Sequence, residues 1–581
     1  MYPSTLAKRG MVFLFLVVVA FYLYGLGHLP LLGPDEPRYA QVAREMLLRH
    51  DLITPTLGGH TWFEKPALLY WTMIASFKLF GVSEWAARLP AAISGMLTVA
   101  AVYFIGNRIE SRSEDPYGVE HDTLPLGFWS ALAAATTIAL VAFSRAASFD
   151  ILLTMTSTWA FACYVPYALA EDEPYSDRPG ARSLRAYLAG FYIFIGLSLL
   201  AKGLVGLVIP FGVLALFYLL QRRMPRRQTI ISLIWGLPLA LLVASTWYAP
   251  VIMRHGWSFV DQFFIQQHFA RFVSNKYHHQ QPVYYYLLVI PLITLPWTVF
   301  LIEGLLKSKR WINTRGIYSR AEADLNRLRV LALAWFFFPL LFFSFSGSKL
   351  PGYILPVLPA AALLVGERLW RLYWDYRISR TSLRLTAAVC LLFSIGVLIY
   401  ARRTGAIPFS CALIIAATLL VAAHSASLLF SKRLSPIFTI AGATLIVLLV
   451  ALHCLAPQAA ELESSKRLLQ LADARGYAAV VIYGMQRSDR TPEFYAAGRV
   501  VYGADGEPIM YEGPAQIIEE SRRRKESVLT FVPLAEVSQL TGMAAAQTDV
   551  IGNNGRYAII AVSAGSADIL PAARGAASPE K

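Results

Sequence analysis

The sequence predicts a polytopic α-helical membrane protein with about 13 transmembrane helices and a small C-terminal α/β domain outside the membrane. Of its 581 residues, 56% are hydrophobic and only 15% are charged, whereas soluble domains average about 25% charged residues. Apolar runs long enough to cross a bilayer recur along most of the chain. Because so much apolar surface cannot be hidden inside a water-soluble globule, the composition excludes a cytosolic enzyme, a disordered protein and a disulfide-rich scaffold.

The apolar runs end at charges, prolines or glycines, and about 20 residues span a bilayer. The predicted spans cover residues 11–29, 89–107, 124–143, 151–170, 187–201, 203–220, 229–253, 284–305, 330–345, 354–366, 385–400, 408–430 and 437–455. This odd number puts the two termini on opposite sides. With a cytoplasmic N-terminus, the inner loops carry most of the loop Lys and Arg, including the run from Arg222 to Arg227. Arg402 and Arg403 oppose this topology.

The predicted domains are a transmembrane domain over residues 1–455 and a soluble periplasmic domain over residues 456–581. In the second domain, residues 465–475 have helical spacing, and residues 480–483, 528–532 and 557–562 read as buried strands. Asn553 to Gly555 is typical of a hairpin turn. The tail from residue 564 to 581 is small and polar, and we expect it to be disordered.

The cysteines and the net charge suggest no further function. The four cysteines lie in apolar stretches without a C-x-x-C motif, so we expect inert core residues and no disulfide framework. The net charge of +15 follows from the positive-inside rule, and no nucleic-acid partner is expected.

Four predicted periplasmic loops carry charged residues among aromatic ones, and they are candidates for one shared site: residues 30–88, 144–150, 254–283 and 346–353. In the first loop, Asp35, Glu36 and Arg38 follow the first span. Capping of an amphipathic helix over residues 37–50, with Asp35 as the N-cap, explains them without chemistry. Glu64 and Lys65 follow in the same loop; Lys65 suits a lipid-linked substrate's phosphate or the lipid phosphates of the bilayer.

The other loops add Asp150, His268, Arg271, Lys349 and Tyr353. Each of these residues also has a purely structural explanation. Asp150 would cap a helix, and His268 and Arg271 would belong to an interfacial aromatic belt. Lys349 and Tyr353 would belong to a Gly/Ser/Pro turn. Lys202 separates two apolar runs at the predicted outer side of the membrane. Snorkelling of its ammonium group to the membrane surface explains this position without a function.

The chain contains no Walker loop, dinucleotide fingerprint or G-x-S-x-G elbow. Soluble nucleotide sugars and ATP are not normally present on the periplasmic side. A substrate that reaches the outer loops is therefore expected to be linked to a lipid.

Four motifs in the outer loops belong together: the runs Pro34–Tyr39, Glu64–Pro66, His268–Phe272 and Lys349–Pro356. They resemble motifs of the bacterial 4-amino-4-deoxy-L-arabinose (aminoarabinose) lipid A transferases, which share the C-type (GT-C) membrane glycosyltransferase fold with protein mannosyltransferases. The resemblance covers most of the chain. It implies transfer of aminoarabinose from undecaprenyl phosphate to lipid A phosphate at the inner membrane's periplasmic face, and hence polymyxin resistance. We expect the transfer to invert the anomeric configuration by direct displacement.

The resemblance also implies residue roles. Asp35 is the expected catalytic carboxylate, supported by Asp150 and accompanied by Glu36. The donor phosphate would be bound by Lys65, Arg271, Arg38, Tyr353 and Lys349. Glu64 and His268 match positions where the family can hold a divalent metal (zinc, magnesium or manganese), and no cofactor is otherwise expected. Gly352 departs from the family, which often has a bulkier residue there.

Two alternatives stay open at this point. The first is a sister glycosyltransferase with a different polyprenyl-linked sugar and a protein, a polysaccharide or another glycolipid as acceptor. The second is a transporter of lipid-linked sugar, which would normally show repeated halves and ionisable residues within its spans. The expected partners are the polyprenyl-phosphate donor, the glycolipid acceptor and membrane lipids, with the protein as a monomer.

Overall fold

The computed structural model describes residues 5–110, 124–170, 181–270, 281–308, 320–374, 380–428, 435–486, 490–543 and 546–564. These residues form two compact units. Unit 1 comprises Met1–Leu26, Phe63–Thr72 and Arg88–Cys454, and unit 2 comprises Gly27–Trp62, Met73–Ala87 and Leu455–Lys581. The division differs from the predicted domains, because most of the first outer loop belongs with the C-terminal region.

The helices of the transmembrane region follow the apolar runs. In chain order they are α1 (Thr5–Leu23), α2 (Asp35–Leu48), α3 (Leu68–Phe80), α4 (Glu84–Glu110), α5 (Leu126–Thr136), α6 (Ile138–Ser144), α7 (Phe149–Ala170), α8 (Ala181–Lys202), α9 (Val205–Gln221), α10 (Arg227–Val260), α11 (Tyr285–Ile293), α12 (Thr298–Lys307), α13 (Arg320–Ser344), α14 (Leu358–Trp374), α15 (Arg380–Thr404), α16 (Phe409–Leu428) and α17 (Ser435–Val450). A π-helical segment, Asp261–Ala270, continues α10, a 3₁₀ turn, Pro351–Val357, precedes α14, and a π-helical turn, Ala451–Leu455, follows α17.

Within the described residues, eight helices are long and apolar enough to cross a membrane, or nine if the bent pair α5–α6 counts as one span. The predicted spans 11–29, 151–170, 203–220 and 284–305 fall on α1, α7, α9 and the pair α11–α12, which lie outside that count. The polytopic helical architecture is therefore confirmed, and the number thirteen stays a prediction.

Small residues let the helices of unit 1 approach closely, as is common in membrane bundles. A Cβ atom added to Gly106 of α4 would lie 2.7 Å from the Cα atom of Gly127 in α5, and one added to Gly366 of α14 would lie 2.5 Å from the Cα atom of Ser130 in α5. These contacts fix α5 between α4 and α14.

The cysteine prediction was wrong for two of the four residues. Cys411, near the start of α16, and Cys454, just after α17, form a disulfide, with Cα atoms 6.3 Å apart. Both lie in apolar runs, and only the tertiary packing of α16 beside α17 brings them within bonding reach. Cys163 and Cys390 carry free thiols.

Unit 2 contains a five-stranded sheet with strand order β4–β3–β5–β7–β6. Its strands are β3 (Ile482–Met485), β4 (Met510–Tyr511), β5 (Val528–Pro533), β6 (Ala546–Asn553) and β7 (Tyr557–Ala564), and a separate hairpin pairs β1 (Thr56–Leu57) with β2 (His60–Thr61). β3 runs parallel to β4 and β5, and β7 is antiparallel to β5 and β6. β5 and β7 lie where strands are predicted, whereas β3 begins two residues later than predicted.

Both faces of the sheet are covered, which explains why every residue of β5 from Val528 to Val532 is buried. Leu529 and Phe531 pack with Leu469 on one face, while Val528 and Val532 pack with other apolar side chains on the opposite face. The remaining helices of the unit are α18 (Ala456–Glu463), α19 (Lys466–Ala472), α20 (Pro492–Tyr495), α21 (Pro514–Arg524) and α22 (Val537–Thr541). Apart from Ala564, the tail predicted to be disordered lies outside the described residues.

Helix α2 of the first outer loop packs on α20 of the C-terminal region, which explains why the two form one unit. The Arg44 guanidinium donates to the Phe494 carbonyl at 2.9 Å and lies 4.9 Å from the centre of the Phe494 ring. The Leu31 N–H donates to the Tyr495 hydroxyl at 2.6 Å. α2 begins at Asp35, with Pro34 at the N-cap position, so the prediction of Asp35 as the N-cap was wrong.

Glu45 ties α2 to the β1–β2 hairpin, and its loss should loosen that hairpin. Its carboxylate accepts from the Thr56 hydroxyl at 2.8 Å and from the N–H groups of Gly58 and Gly59 at 2.8 and 3.2 Å. In Glu45→Ala these donors lose a charged acceptor, a change that costs about 2 kcal/mol. We expect amide exchange at residues 56–61 to become roughly 30-fold faster by mass spectrometry. Exposed Glu512→Ala is the control; equal exchange in both variants would contradict the role.

Candidate active site

An ion pair between α7 and α8 is the centre of the candidate site in unit 1. Asp150 lies in the first turn of α7, where the helix dipole favours a carboxylate. Lys202 is the last residue of α8, where the dipole favours a cation. The Lys202 ammonium donates to the Asp150 carboxylate, and the two side chains are 14% and 18% exposed. The pair is therefore largely shielded from water and holds the ammonium in place.

Tyr353 joins this pair from the 3₁₀ turn that precedes α14. The Lys202 Nζ lies 4.5 Å from the centre of the Tyr353 ring, within cation–π range. The ring also contacts Phe343, with centroids 5.7 Å apart. We call Asp150, Lys202 and Tyr353 the cationic cluster; it combines a fixed ammonium, a carboxylate and a phenol.

Gly352 allows the 3₁₀ turn to approach Asp150. A Cβ atom at this position would lie 2.5 Å from Asp150 Oδ2 and 2.8 Å from the Phe143 ring. Real Cβ atoms do not make contacts this short, so any other residue would displace the carboxylate or the turn. The departure from the family pattern thus has a direct packing reason.

Lys349 is occupied by backbone carbonyls. It is 6% exposed, and its ammonium donates to the Ser346 carbonyl at 2.7 Å and to the Gln281 carbonyl at 2.9 Å. The Tyr286 hydroxyl donates to the Leu350 carbonyl at 3.0 Å beside it. In this structure the Lys349 ammonium holds the turn that carries Tyr353. This contact differs from the predicted role of Lys349, which is to bind the donor phosphate directly.

Glu64 and Lys65 lie in the turn before α3, and both are half-buried. The neighbouring Phe63 anchors this turn, because its ring packs edge-on against His255 and Phe259 of α10 at centroid distances of 5.0 and 5.1 Å. The turn therefore presents Glu64 and Lys65 from a fixed base within unit 1.

Asp35 and Arg38 form the candidate site of unit 2. The Arg38 guanidinium donates to Asp35 Oδ1 at 2.8 Å and to the Pro34 carbonyl at 2.7 Å. It also lies 5.4 Å from the centre of the Trp62 ring. The Asp35 side chain is 55% exposed, whereas that of Arg38 is 14% exposed. The carboxylate is thus accessible and is oriented by a more buried arginine.

Glu36 points away from solvent. It is 7% exposed, and its Oε2 accepts from the Leu32 N–H at 2.9 Å. This bond closes the loop that leads into α2. Through this hydrogen bond Glu36 helps to position Asp35, the first residue of α2.

Burial raises the pKa of Glu493 in the same unit, and nearby arginines act against the increase. Arg490 lies 2.8 Å away, and Arg38 also contributes. Arg38 therefore influences a buried carboxylate of the C-terminal region as well as Asp35.

Two of the predicted site residues have no described side chain. His268 lies in the π-helical segment after α10, with its side chain outside the described residues, and Arg271 lies wholly outside them. In the described part of the chain, no group of three or more His, Cys, Asp or Glu side chains is placed to hold a metal ion. A metal held by Glu64 and His268 stays a prediction, because the His268 side chain lies outside the described residues.

The structure brings Asp150 together with Tyr353 through Lys202, and Asp35 together with Arg38. The sequence predicts only snorkelling for Lys202, so its place in the site is a finding of the structure. A signal was present in the sequence, because Asp150 and Lys202 lie at the predicted outer ends of two successive spans. Trp62 was also missed, since a tryptophan near an interface usually belongs to an aromatic belt.

Comparison with known proteins gives one family match. The model of the family described as dolichyl-phosphate-mannose-protein mannosyltransferase matches residues 10–309. The matched segment includes Asp35, Lys65, Asp150 and Lys202.

Two curated relatives carry the same name, undecaprenyl phosphate-alpha-4-amino-4-deoxy-L-arabinose arabinosyl transferase. The protein from Aeromonas salmonicida is 30% identical over 60% of this chain and 58% of its own length. The protein from Shewanella sediminis is 30% identical over 61% of this chain and 58% of its own length. The matches thus span less than two thirds of these relatives.

Solved structures establish the fold. ArnT from Cupriavidus metallidurans, bound to undecaprenyl phosphate, superposes with a TM-score of 0.74 at 21% identity, covering 96% of this chain and 98% of that one. The oligosaccharyltransferase of Archaeoglobus fulgidus gives a TM-score of 0.50 at 13% identity, covering 91% of this chain and 70% of that one. The GT-C fold implied by the sequence motifs is therefore confirmed.

Proposed function

The chain belongs to the dolichyl-phosphate-mannose-protein mannosyltransferase family, and from this membership we propose that it is an inverting glycosyltransferase with a polyprenyl-phosphate donor. The donor sugar that fits best is 4-amino-4-deoxy-L-arabinose on undecaprenyl phosphate, with lipid A phosphate as the acceptor. The names of the curated relatives and the ligand of the Cupriavidus metallidurans ArnT structure support this choice.

One observation carries the proposal: the Lys202 ammonium is held between the Asp150 carboxylate and the face of Tyr353. Transfer breaks the bond between the sugar C1 and the phosphate oxygen, and negative charge then grows on the departing phosphate. A fixed cation in a site shielded from water stabilises that charge without reorganisation. Lys202 supplies such a cation, and Asp150 and Tyr353 keep it in one place.

Lys65 is the proposed direct ligand of the donor phosphate, together with Arg271. An ammonium binds a phosphate as a point charge, and a guanidinium adds paired donors. Tyr353 would contribute its hydroxyl to the same phosphate. Lys349 acts indirectly, by holding the turn that bears Tyr353.

Asp35 is the proposed catalytic carboxylate, with Arg38 as its positioning residue. In direct displacement the acceptor oxygen attacks C1 as the phosphate leaves, so the anomeric configuration inverts. A phosphate acceptor is already anionic, and Asp35 then aligns it or binds the sugar amine. A hydroxyl acceptor would instead transfer its proton to Asp35.

We also propose the inner membrane topology of thirteen spans, with the N-terminus in the cytoplasm and the active site facing the periplasm. The Cys411–Cys454 disulfide supports this orientation. Disulfides persist in oxidising compartments such as the periplasm and are rare in the cytosol. Both cysteines lie at the helix ends that the thirteen-span topology places outside.

Mass spectrometry of lipid A tests the function. The gene is expressed in a Gram-negative strain that makes the undecaprenyl-linked aminoarabinose but lacks its own transferase. A pentosamine mass added to lipid A is the expected result, and an active-site variant should abolish it. Unmodified lipid A alongside glycosylated protein or polysaccharide would favour the sister activity. Unchanged products in every fraction would overturn the enzymatic proposal.

Replacement of Gly352 should reduce transfer through its effect on Asp150. In Gly352→Ala the new methyl group overlaps Asp150 Oδ2, so the carboxylate must move and release or shift Lys202. A displacement near 1 Å in an active site can cost about 10²-fold in rate. We expect a loss of that order in purified enzyme.

The matched control is Gly396→Ala in α15, where the added Cβ meets nothing within 4 Å. That variant should keep the full rate, because alanine is also the better helix former. An equal rate for the two variants would show that the approach of Gly352 to Asp150 does not matter.

A further inference from the structure

An open groove of about 660 Å³ lies between α7, α8, α9 and α10, at the helix ends next to the run Arg222–Arg227. Its wall is made of aromatic and aliphatic side chains, among them Tyr164, Phe191 and Leu214. The cationic cluster belongs to the opposite helix ends, since Asp150 starts α7 and Lys202 ends α8. The groove is therefore distinct from the candidate active site.

The hydroxyl groups in the groove wall are paired with one another. The Tyr164 and Tyr218 hydroxyls lie 2.6 Å apart, and the Tyr192 and Ser232 hydroxyls lie 2.8 Å apart. Because these polar atoms have partners, the wall mainly offers ring faces and methyl groups to an occupant. A hydrocarbon chain fits this surface better than a sugar or a nucleotide.

The mouth of the groove is strongly basic. Arg222 and Arg223 line it and are exposed, and Arg226 and Arg227 follow within four residues. The groove thus combines an apolar interior with a cluster of cations at one end. An anionic head group attached to a hydrocarbon tail is the ligand that complements both parts.

The backbone at the mouth adopts a conformation that usually calls for glycine. Arg222 ends α9 with φ of 53° and ψ of 38°, and its N–H donates to Leu219 O while that of Arg223 donates to Tyr218 O. This is the Schellman arrangement, in which the left-handed position is most often glycine. An arginine there carries a cost of about 1 kcal/mol.

We propose that this groove is a binding site for an anionic diacyl phospholipid of the cytoplasmic leaflet. An acyl chain occupies the apolar interior, and the phosphodiester pairs with Arg222 and Arg223. Basic pockets between transmembrane helices on the cytoplasmic side commonly bind anionic head groups. The choice of leaflet rests on the topology proposed above, whereas the site itself is separate from the donor and acceptor of the proposed function.

Native mass spectrometry of the full-length protein, delipidated and then titrated with phosphatidylglycerol or phosphatidylcholine, tests the site. We expect one phosphatidylglycerol to bind in preference to phosphatidylcholine. In R222Q/R223Q the affinity for phosphatidylglycerol should fall roughly 30-fold, since each basic residue near a lipid surface contributes about a factor of five. R402Q/R403Q removes an exposed arginine pair at the end of α15 and should bind like the wild type.

Two further variants separate binding from folding. Arg222→Gly should keep or raise the thermal midpoint, because glycine relieves the left-handed position, and yet bind phosphatidylglycerol several-fold more weakly. Ala215→Trp, at an exposed position that lines the groove, should block the acyl chain. Palmitate and inorganic phosphate are the remaining probes, and neither should compete at the concentrations where phosphatidylglycerol binds.

Three outcomes would overturn the site. The first is equal binding of phosphatidylglycerol and phosphatidylcholine by the wild type. The second is unchanged binding by R222Q/R223Q or by Ala215→Trp. The third is displacement of the bound lipid by undecaprenyl phosphate alone, which would assign the groove to the donor. Loss of sugar transfer with phosphatidylglycerol binding intact would count against the proposed function and leave the lipid site standing.

Discussion

The Lys202→Met variant is expected to lose sugar transfer by about 10²–10³-fold and to unfold more readily than the wild type. Lys202 provides the fixed positive charge of the cationic cluster, and methionine keeps its length without that charge. The change also leaves the Asp150 carboxylate, which is only 18% exposed, without its partner. We expect this loss to lower the free energy of unfolding by about 2 kcal/mol, a value between those for exposed and fully buried ion pairs.

The double variant Asp150→Asn/Lys202→Met separates the two effects. With both charges removed, the uncompensated carboxylate disappears, so the thermal midpoint should return toward that of the wild type. Transfer should stay low, because the cation is still missing. Rates are measured with undecaprenyl-phosphate aminoarabinose and lipid A, and midpoints by tryptophan fluorescence.

Lys307→Met is the matched control, since Lys307 also pairs with a carboxylate, that of Glu303, at 2.6 Å on α12. It should transfer sugar at the wild-type rate. If the double variant regained both stability and transfer, the cationic cluster would be a structural feature only. If Lys307→Met lost as much activity as Lys202→Met, the effect would not be specific to the site.

The transmembrane class and the location of the site could be predicted because both depend on local patterns. Apolar run length indicates spans, and charged residues between spans mark the loops, so Asp150 and Tyr353 were found from position alone. Lys202 could not be predicted as a site residue, because its partner, Asp150, lies 52 residues away in the sequence. A lysine at a helix end has an adequate local explanation, and only tertiary packing reveals the pair.

The errors have the same physical origin. Cys411 and Cys454 are 43 residues apart, and their pairing requires α16 and α17 to pack with both thiols at the same level. Asp35 was predicted as an N-cap because aspartate favours that position, but the chain already enters the helical conformation at Pro34. The need for glycine at position 352 depends on the approach of Asp150 from another helix.

The sequence also could not predict that most of the first outer loop forms one compact unit with the C-terminal region. Arg44 and Leu31 contact Phe494 and Tyr495 across more than 400 residues of sequence. Neither segment contains a sequence motif that identifies the other as its partner, because the contacts use a backbone carbonyl, a ring face and a phenol. Such contacts are compatible with many sequences and leave no periodic signal.

Asp35→Asn should abolish measurable transfer while leaving the protein as stable as the wild type. The Asp35 side chain is 55% exposed and pairs with Arg38, and exposed ion pairs contribute only about 0.2–1 kcal/mol. Asparagine retains the shape and one acceptor oxygen but cannot carry the charge that aligns the acceptor or the sugar amine. We expect a loss of at least about 10²-fold in rate, measured by release of undecaprenyl phosphate from the donor.

The controls test whether the carboxylate itself is required. Glu461→Gln removes an exposed carboxylate of the same unit that also pairs with an arginine, Arg467, and it should transfer sugar normally. Arg38→Lys keeps a positive charge but loses the fork that holds Asp35 and the Pro34 carbonyl together, so its rate should fall less than that of Asp35→Asn. A fully active Asp35→Asn enzyme would show that the acceptor needs no carboxylate at this position, and Asp35 would then serve only the start of α2.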